Sequence, residues 1–174
     1  MIRLVLISTL LAIFLVNCTS QSSQVLHTHK VLIDDENILF GETDRRQLYF
    51  DYPGWKKIEN EYLPSQKIIN QIRKNMQPLS VDVFLGTWCS DSRREVPAFF
   101  KIIDESGIGN KMKINLWAVD RNKTLKNGLA QKCKIEFVPT FVFYESGKEI
   151  GRIVEMPEGL LEEDMLNIIN HARK

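Results

Sequence analysis

Three cysteines, Cys18, Cys89 and Cys133, are the strongest nucleophiles in this chain of 174 residues. They are too few and too scattered for a disulfide framework, and none belongs to a zinc-type C-x-x-C pair. Cys89 has a setting that favours chemistry. The largely apolar run Val81-Asp82-Val83-Phe84-Leu85 is followed by Gly86-Thr87-Trp88 and then by a polar, helix-starting segment with Cys89 in its first turn. That pattern reads as a buried strand feeding a helix N-terminus. The unpaired backbone N–H groups there, together with the positive end of the helix dipole, stabilise a thiolate better than a thiol. Cys89 is therefore read as a nucleophile. Ser92, one turn further along, can donate a hydrogen bond to the thiolate; Asp91 opposes it with negative charge, and Arg93 and Arg94 add positive charge.

Other chemistries find less support. With Lys+Arg 23 against Asp+Glu 22 there is no electrostatic case for nucleic acid or for a polybasic membrane patch. His27 and His29 have no further ligands nearby and read as solvated linker residues, so neither a metal nor a cofactor is expected. Partners have to be sought through Cys89.

The elements that must hold Cys89 follow from periodicity. Residues 31–40 carry two apolar bursts that read as a short strand pair or an irregular edge. Asp51-Tyr52-Pro53-Gly54 breaks the chain before Trp55, Ile58 and Tyr62, spaced as one helix face. Ser65 is positioned to cap the next helix, whose stripe is Ile68, Ile69, Ile72 and Met76. The aromatics Tyr49, Phe50, Trp55 and Tyr62 read as core packing, with a ligand surface as the alternative. A helix to about Ser106, bent at Pro97, is followed by a strand over 113–119, a helix over 125–133, and strands over 137–144 and 149–154 turning at Ser146-Gly147. An amphipathic helix over 160–172 closes the chain, with Leu161, Met165, Leu166, Ile168 and Ile169 inward.

At the start, Met1-Ile2-Arg3 and the apolar run 4–16 have the charged and hydrophobic regions of a secretory signal, too short for a comfortable transmembrane span. Leu15-Val16-Asn17-Cys18 resembles the bacterial lipoprotein cleavage box, with Asn17 in place of a small residue. The resemblance implies that Cys18 becomes a lipidated first residue, anchoring the protein in the bacterial cell envelope, facing the periplasm. Thr19, rather than Asp, fits outer-membrane delivery under the sorting rule of enteric bacteria. A soluble secreted product or an uncleaved anchor is the alternative. The division is then a signal peptide, 1–17; a lipidated tether, 18–30; an N-terminal extension packing on the core, 31–79; and one domain, 80–174.

Phe84, Trp88, Cys89 and Pro97 stand where the thioredoxin family has its strand, its W-C-x-x-C motif and its helix-kinking proline. Val138-Pro139-Thr140 resembles that family's cis-proline loop, and Gly147 the hairpin turn after it. The resemblance covers residue 80 to the C-terminus, and the order β-α-β-α-β-β-α matches the thioredoxin core: an α/β mixed sheet with helices on both faces. It implies that the Val138 backbone pairs with an extended substrate beside the thiol, with Trp88 as an apolar rim. The sequence also departs from the pattern. Ser92 replaces the second cysteine, giving Cys89-Ser90-Asp91-Ser92; Val83 and Leu116 stand in place of a buried Asp and its Lys partner; Glu155 replaces a glycine facing the same groove. Asp82, one residue off, should point to the opposite face from Val83.

A serine hydroxyl cannot resolve a mixed disulfide at neutral pH, so Cys89 is expected to work alone on protein or low-molecular-weight thiols and disulfides, with an external thiol completing the cycle. Cys133, where the family often has tyrosine, is either a half-buried small hydrophobe or a distant second thiol. Two rivals remain open: a non-catalytic peptide-binding module using the proline-loop groove, and a thiol peroxidase, for which Thr87 is the sole support.

Overall fold

The computed structural model describes residues 29–33 and 36–171. The signal-like segment, most of the tether with Cys18 and His27, and the expected helix end at Ala172 lie outside the described residues.

The strand β3 (Leu79–Leu85) is the axis of the fold. Val81, Val83 and Leu85 enter one buried cluster and Phe84 another on the opposite face, so period-two alternation places this strand between two apolar layers. It pairs in parallel with β4 (Met112–Ala118), Val83 opposite Leu116, and antiparallel with β5 (Thr140–Glu145), Val83 opposite Phe141. The hairpin partner of β5 is β6 (Lys148–Val154), with Gly147 in the turn at φ 80°. On the far side, β2 (Glu36–Thr43) runs antiparallel to β4, and β1 (His29–Ile33) pairs with β2, Val31 opposite Ile38. The strand order is β1-β2-β4-β3-β5-β6. Of the two readings of residues 31–40, the strand pair is the one that forms.

The helices divide unequally between the faces. Leu48 of α1 (Arg45–Asp51), Trp55 of α2 (Pro53–Glu61), Ile69 and Ile72 of α3 (Gln66–Asn75), Phe99 of α4 (Ser90–Ser106) and Met165 of α6 (Leu161–His171) all join the core containing Val83. Full burial of side chains such as Ile69 and Ile72 contributes roughly 1.5–3 kcal/mol each. Among the described residues, the opposite face receives only α5 (Leu129–Lys132), whose Ala130 packs with Phe84, Val119, Val138 and Val142. The chain thus forms the expected α/β mixed sheet with helices on both faces, one layer thick and the other thin.

Local differences from the sequence reading have physical causes. The helix α1 was not expected. Asp44 initiates it as N-cap, its carboxylate accepting the Gln47 N–H at 2.7 Å. Pro53 begins α2 at a position where its missing N–H costs nothing. Ser65 is the N-cap of α3, yet its side chain makes no capping bond; its backbone N–H donates to Glu162 instead. The helix expected over 125–133 shrinks to Leu129–Lys132 because Gly128 adopts φ 69° and its N–H closes a turn on the Leu125 carbonyl at 3.0 Å. β5 begins at Thr140 rather than at Phe137, since Pro139 has no N–H to offer a ladder. Of the four aromatics read as core, Trp55 is buried and Tyr49 and Tyr62 are partly so, but Phe50 is 81% exposed on the outer side of α1.

Candidate active site

The chain leaves β3 through Gly86, and the Cys89 N–H closes the turn onto the Gly86 carbonyl at 3.0 Å. Gly86 is required by close approach: a Cβ there would lie 2.6 Å from Cε2 of Trp88, whose ring folds back over it. The indole Nε1 donates to the Val119 carbonyl at 3.1 Å, tying the ring to the end of β4. Cys89 is the N-cap residue of α4, and no side chain caps the amides of that first turn. The residue is half-buried rather than enclosed in the core.

The thiol meets the loop before β5. Cys89 Sγ donates to the Val138 carbonyl at 3.1 Å, and the Val138–Pro139 peptide bond is cis. The next carbonyl, that of Pro139, accepts the Glu155 N–H at 2.7 Å. Thr140 Oγ1 donates to the Phe137 carbonyl at 2.8 Å and closes the loop on itself. Of the six residues read as catalytic or substrate-binding, Trp88, Cys89, Val138 and Pro139 are thus brought together, Glu155 adjoins them through its backbone, and Ser92 stands apart. Phe137, Val154 and Met156 are exposed apolar side chains on the same segments.

Ser92 is placed differently from the sequence reading. Its hydroxyl accepts the Gly86 N–H at 3.1 Å in a fully buried position, and the Cys89 thiol turns to Val138 rather than to it. The physical reason is that Gly86, at the strand exit, has an amide with no ladder partner, and an unpaired buried N–H is costly. Ser92 therefore fixes the turn that carries Cys89. Val83 and Leu116, both buried, lie opposite one another across β3 and β4, so no ionisable pair occupies that level of the core. Asp82 points to the other face, as strand alternation requires, and accepts from Asn115 at 2.7 Å.

Cys133 lies on the thin-layer face, its sulfur 3.8 Å from the Tyr144 hydroxyl. Burial pushes the Tyr144 hydroxyl well above the ordinary tyrosine pKa, with the Cys133 hydrogen bond and the charge of Asp82 acting in the same direction. Arg152 donates to the Cys133 carbonyl at 3.2 Å. The contact recorded for the Cys133 sulfur is thus with Tyr144, towards the far end of β5 from Val138, whereas the Cys89 sulfur meets Val138 itself. Thr87 is buried, its hydroxyl accepting the Leu39 N–H at 3.3 Å, a tie to β2 rather than a surface beside the thiol. Among the described residues, no cluster of three metal-ligating side chains forms.

A family model described as thioredoxin matches residues 50–167, well over half of the chain. The chain belongs to the thioredoxin family. A thioredoxin-like protein of Acanthamoeba polyphaga mimivirus is 36% identical over 78 residues, 44% of this chain and 53% of that protein. Thioredoxin-2 of Saccharomyces cerevisiae is 28% identical over 71 residues, 41% of this chain and 62% of that protein. The chain therefore spans less than two thirds of the length of these relatives. A Pseudomonas aeruginosa protein of unknown function shares the fold, with TM-score 0.53 over 75% of this chain and 87% of that one at 16% identity. The family match begins at residue 50 and so takes in α2 and α3 together with the thioredoxin core.

Two residues beside the thioredoxin-type thiol escaped the sequence reading. Arg121 and Lys123 lie over the Trp88 ring, 5.2 and 5.9 Å from its centroid. The available signal was their place just after a strand that ends beside the Cys89 turn, together with an aromatic ring for a cation to cover. Asp120 holds that loop by accepting from both the N–H and the hydroxyl of Thr124, each at 2.7 Å.

Proposed function

We propose that this thioredoxin-family protein is an envelope-located thiol–disulfide exchange protein acting through Cys89 alone. The observation that carries the reading is the pairing of a half-buried Cys89, its sulfur at the start of α4 against the Val138 carbonyl, with a Ser92 hydroxyl committed to Gly86. In the reaction the Cys89 proton leaves to water and the thiolate attacks one sulfur of a protein or small-molecule disulfide. A Cys89–partner disulfide forms, and the other sulfur departs as a thiolate that takes up a proton. With no thiol at position 92, an external thiolate attacks the partner sulfur of the mixed disulfide: a disulfide between the external thiol and the partner forms, the Cys89–partner bond breaks, and Cys89 leaves as a thiolate. The separate contacts of the two sulfurs, Cys133 with Tyr144 and Cys89 with Val138, support leaving Cys133 out of this cycle.

Incubation with a glutathione mixed disulfide of a peptide should yield a covalent adduct on wild type and none on Cys89→Ser, read by intact mass. Catalytic turnover should require added thiol. Equal behaviour of the two proteins would reject thiol chemistry and leave the peptide-binding reading, which the exposed Phe137, Val154 and Met156 around the proline loop favour.

The location is proposed from the signal-like segment ending in Asn17-Cys18. Expression in a bacterial host with labelled palmitate should give a labelled, membrane-associated protein, with the label lost in Cys18→Ala. An unlabelled wild type would remove the anchor.

A further inference from the structure

We propose that the groove beside Cys89 is dipolar, and that it reads the order of charges on either side of the reactive cysteine in an extended partner chain. The inference rests on the thiol-exchange reading and adds to it a substrate class. Four segments meet at one end of the sheet. β3 and β4 are parallel, so the turn after β3 and the loop after β4 share that end. β5 runs antiparallel to β3, and β6 to β5, so the start of β5 and the exit of β6 lie there as well. Across this end the order is the Lys123 loop after β4, Trp88-Cys89 after β3, Val138-Pro139 before β5, and Glu155 after β6.

Lys123 and Glu155 therefore flank the thiol from opposite sides with opposite charge. The Lys123 amine lies 5.9 Å from the centre of the Trp88 ring. On the other side, Pro139 and Val138 offer consecutive carbonyls, one to the Glu155 N–H at 2.7 Å and the other to the Cys89 thiol at 3.1 Å. Both charged residues also occupy a backbone region that disfavours side chains, each at φ 57°. Glycine would adopt it without strain, yet a charged side chain stands at both lips. The Glu155 carboxylate makes no ion pair among the described residues and is left for a ligand to meet.

Strands lie about 4.8 Å apart, so β4 to β6 spans three spacings, roughly 14 Å. An extended chain advances about 3.4 Å per residue and covers that width in roughly four residues. The reactive cysteine over Cys89 lies one spacing from the Lys123 side and two from the Glu155 side, roughly one and a half and three residues, so charges two positions to either side come within side-chain reach of both: an acidic residue towards Lys123 and a basic one towards Glu155.

The test uses two isomeric capped peptides, Asp-Ala-Cys-Ala-Lys and Lys-Ala-Cys-Ala-Asp, each with its cysteine as the mixed disulfide of thionitrobenzoate. Composition, net charge and leaving group are identical. Attack by the Cys89 thiolate on the peptide sulfur forms the Cys89–peptide disulfide and releases the coloured thiolate, so the rate is read directly. At low salt one isomer should react with wild type at least threefold faster than the other. The ratio should fall towards one in about 0.5 M salt, where screening acts within a few ångström, and in Glu155→Gln and Lys123→Gln. Equal rates at low salt, or a ratio that neither substitution moves, would overturn the charge-order proposal while leaving single-thiol exchange intact. Reaction no faster than with Cys89→Ser would overturn both.

Discussion

Ser92→Cys is expected to convert a protein that depends on an external thiol to leave the mixed disulfide into one that resolves it internally, with insulin reduction by an added dithiol donor rising about tenfold or more. Positions 89 and 92 stand three residues apart at the start of α4, a rise of about 4.5 Å in a helix, inside the Cα separation of about 4.4–6.8 Å that a disulfide tolerates. The new thiol can attack the Cys89–partner disulfide, release the partner as a thiol and leave an internal disulfide for the donor to reduce. Two features should hold the variant below an optimised dithiol enzyme. A sulfur accepts the Gly86 N–H less well than the present hydroxyl does, a loss on the order of 1 kcal/mol. Val83 and Leu116 place no carboxylate or amine at that level of the core to help the second thiol lose its proton. The decisive measurement is intact mass of the oxidised variant. A loss of two hydrogens with faster insulin reduction is the expected result, and an oxidised variant that keeps both thiols would show that the turn cannot close the bond.

The elements around Cys89 were legible because they are local. The run into β3, the polar helix start and Pro97 lie within a short stretch, and the stripes of α3 and α6 repeat at helical period. Hidden features depend on contacts far apart in sequence or on backbone conformations that residue type does not announce. Lys123 and Glu155 adopt φ 57° although such angles are ordinarily inferred from glycine or asparagine. The commitment of Ser92 to Gly86 rather than to Cys89 could be found only by asking where each turn amide goes. The concentration of α1, α2, α3, α4 and α6 on one face follows from the apolar sides of the early helices, which periodicity identifies but does not assign to either face of the sheet.

The same long-range blindness applies to Glu59, whose replacement by alanine is expected to lower stability by about 2–3 kcal/mol, or roughly 6–10 °C in Tm. This buried carboxylate on α2 accepts from Arg45 Nε of α1 at 3.1 Å, from the Tyr49 hydroxyl and from the Lys56 amine. Arg45 continues to Asp104 of α4 at 2.6 and 3.0 Å and stacks 4.7 Å from the Phe100 ring centre, so one acid joins three helices. The expected cost lies below the 3–5 kcal/mol of a fully buried broken pair, because the Arg45 and Lys56 side chains are 30% and 48% exposed and regain water. Burial alone would raise the Glu59 pKa, but the hydrogen bonds from Lys56, Tyr49 and Arg45 outweigh it and hold the pKa below 4.5. A depressed folded-state pKa contributes stability that is fully present above the unfolded value and is lost as pH falls through the folded one. Denaturant titrations of wild type and Glu59→Gln from pH 7 down to pH 3 should therefore converge at the acid end. Parallel curves over that range would mean that the Glu59 charge does not hold the three helices together.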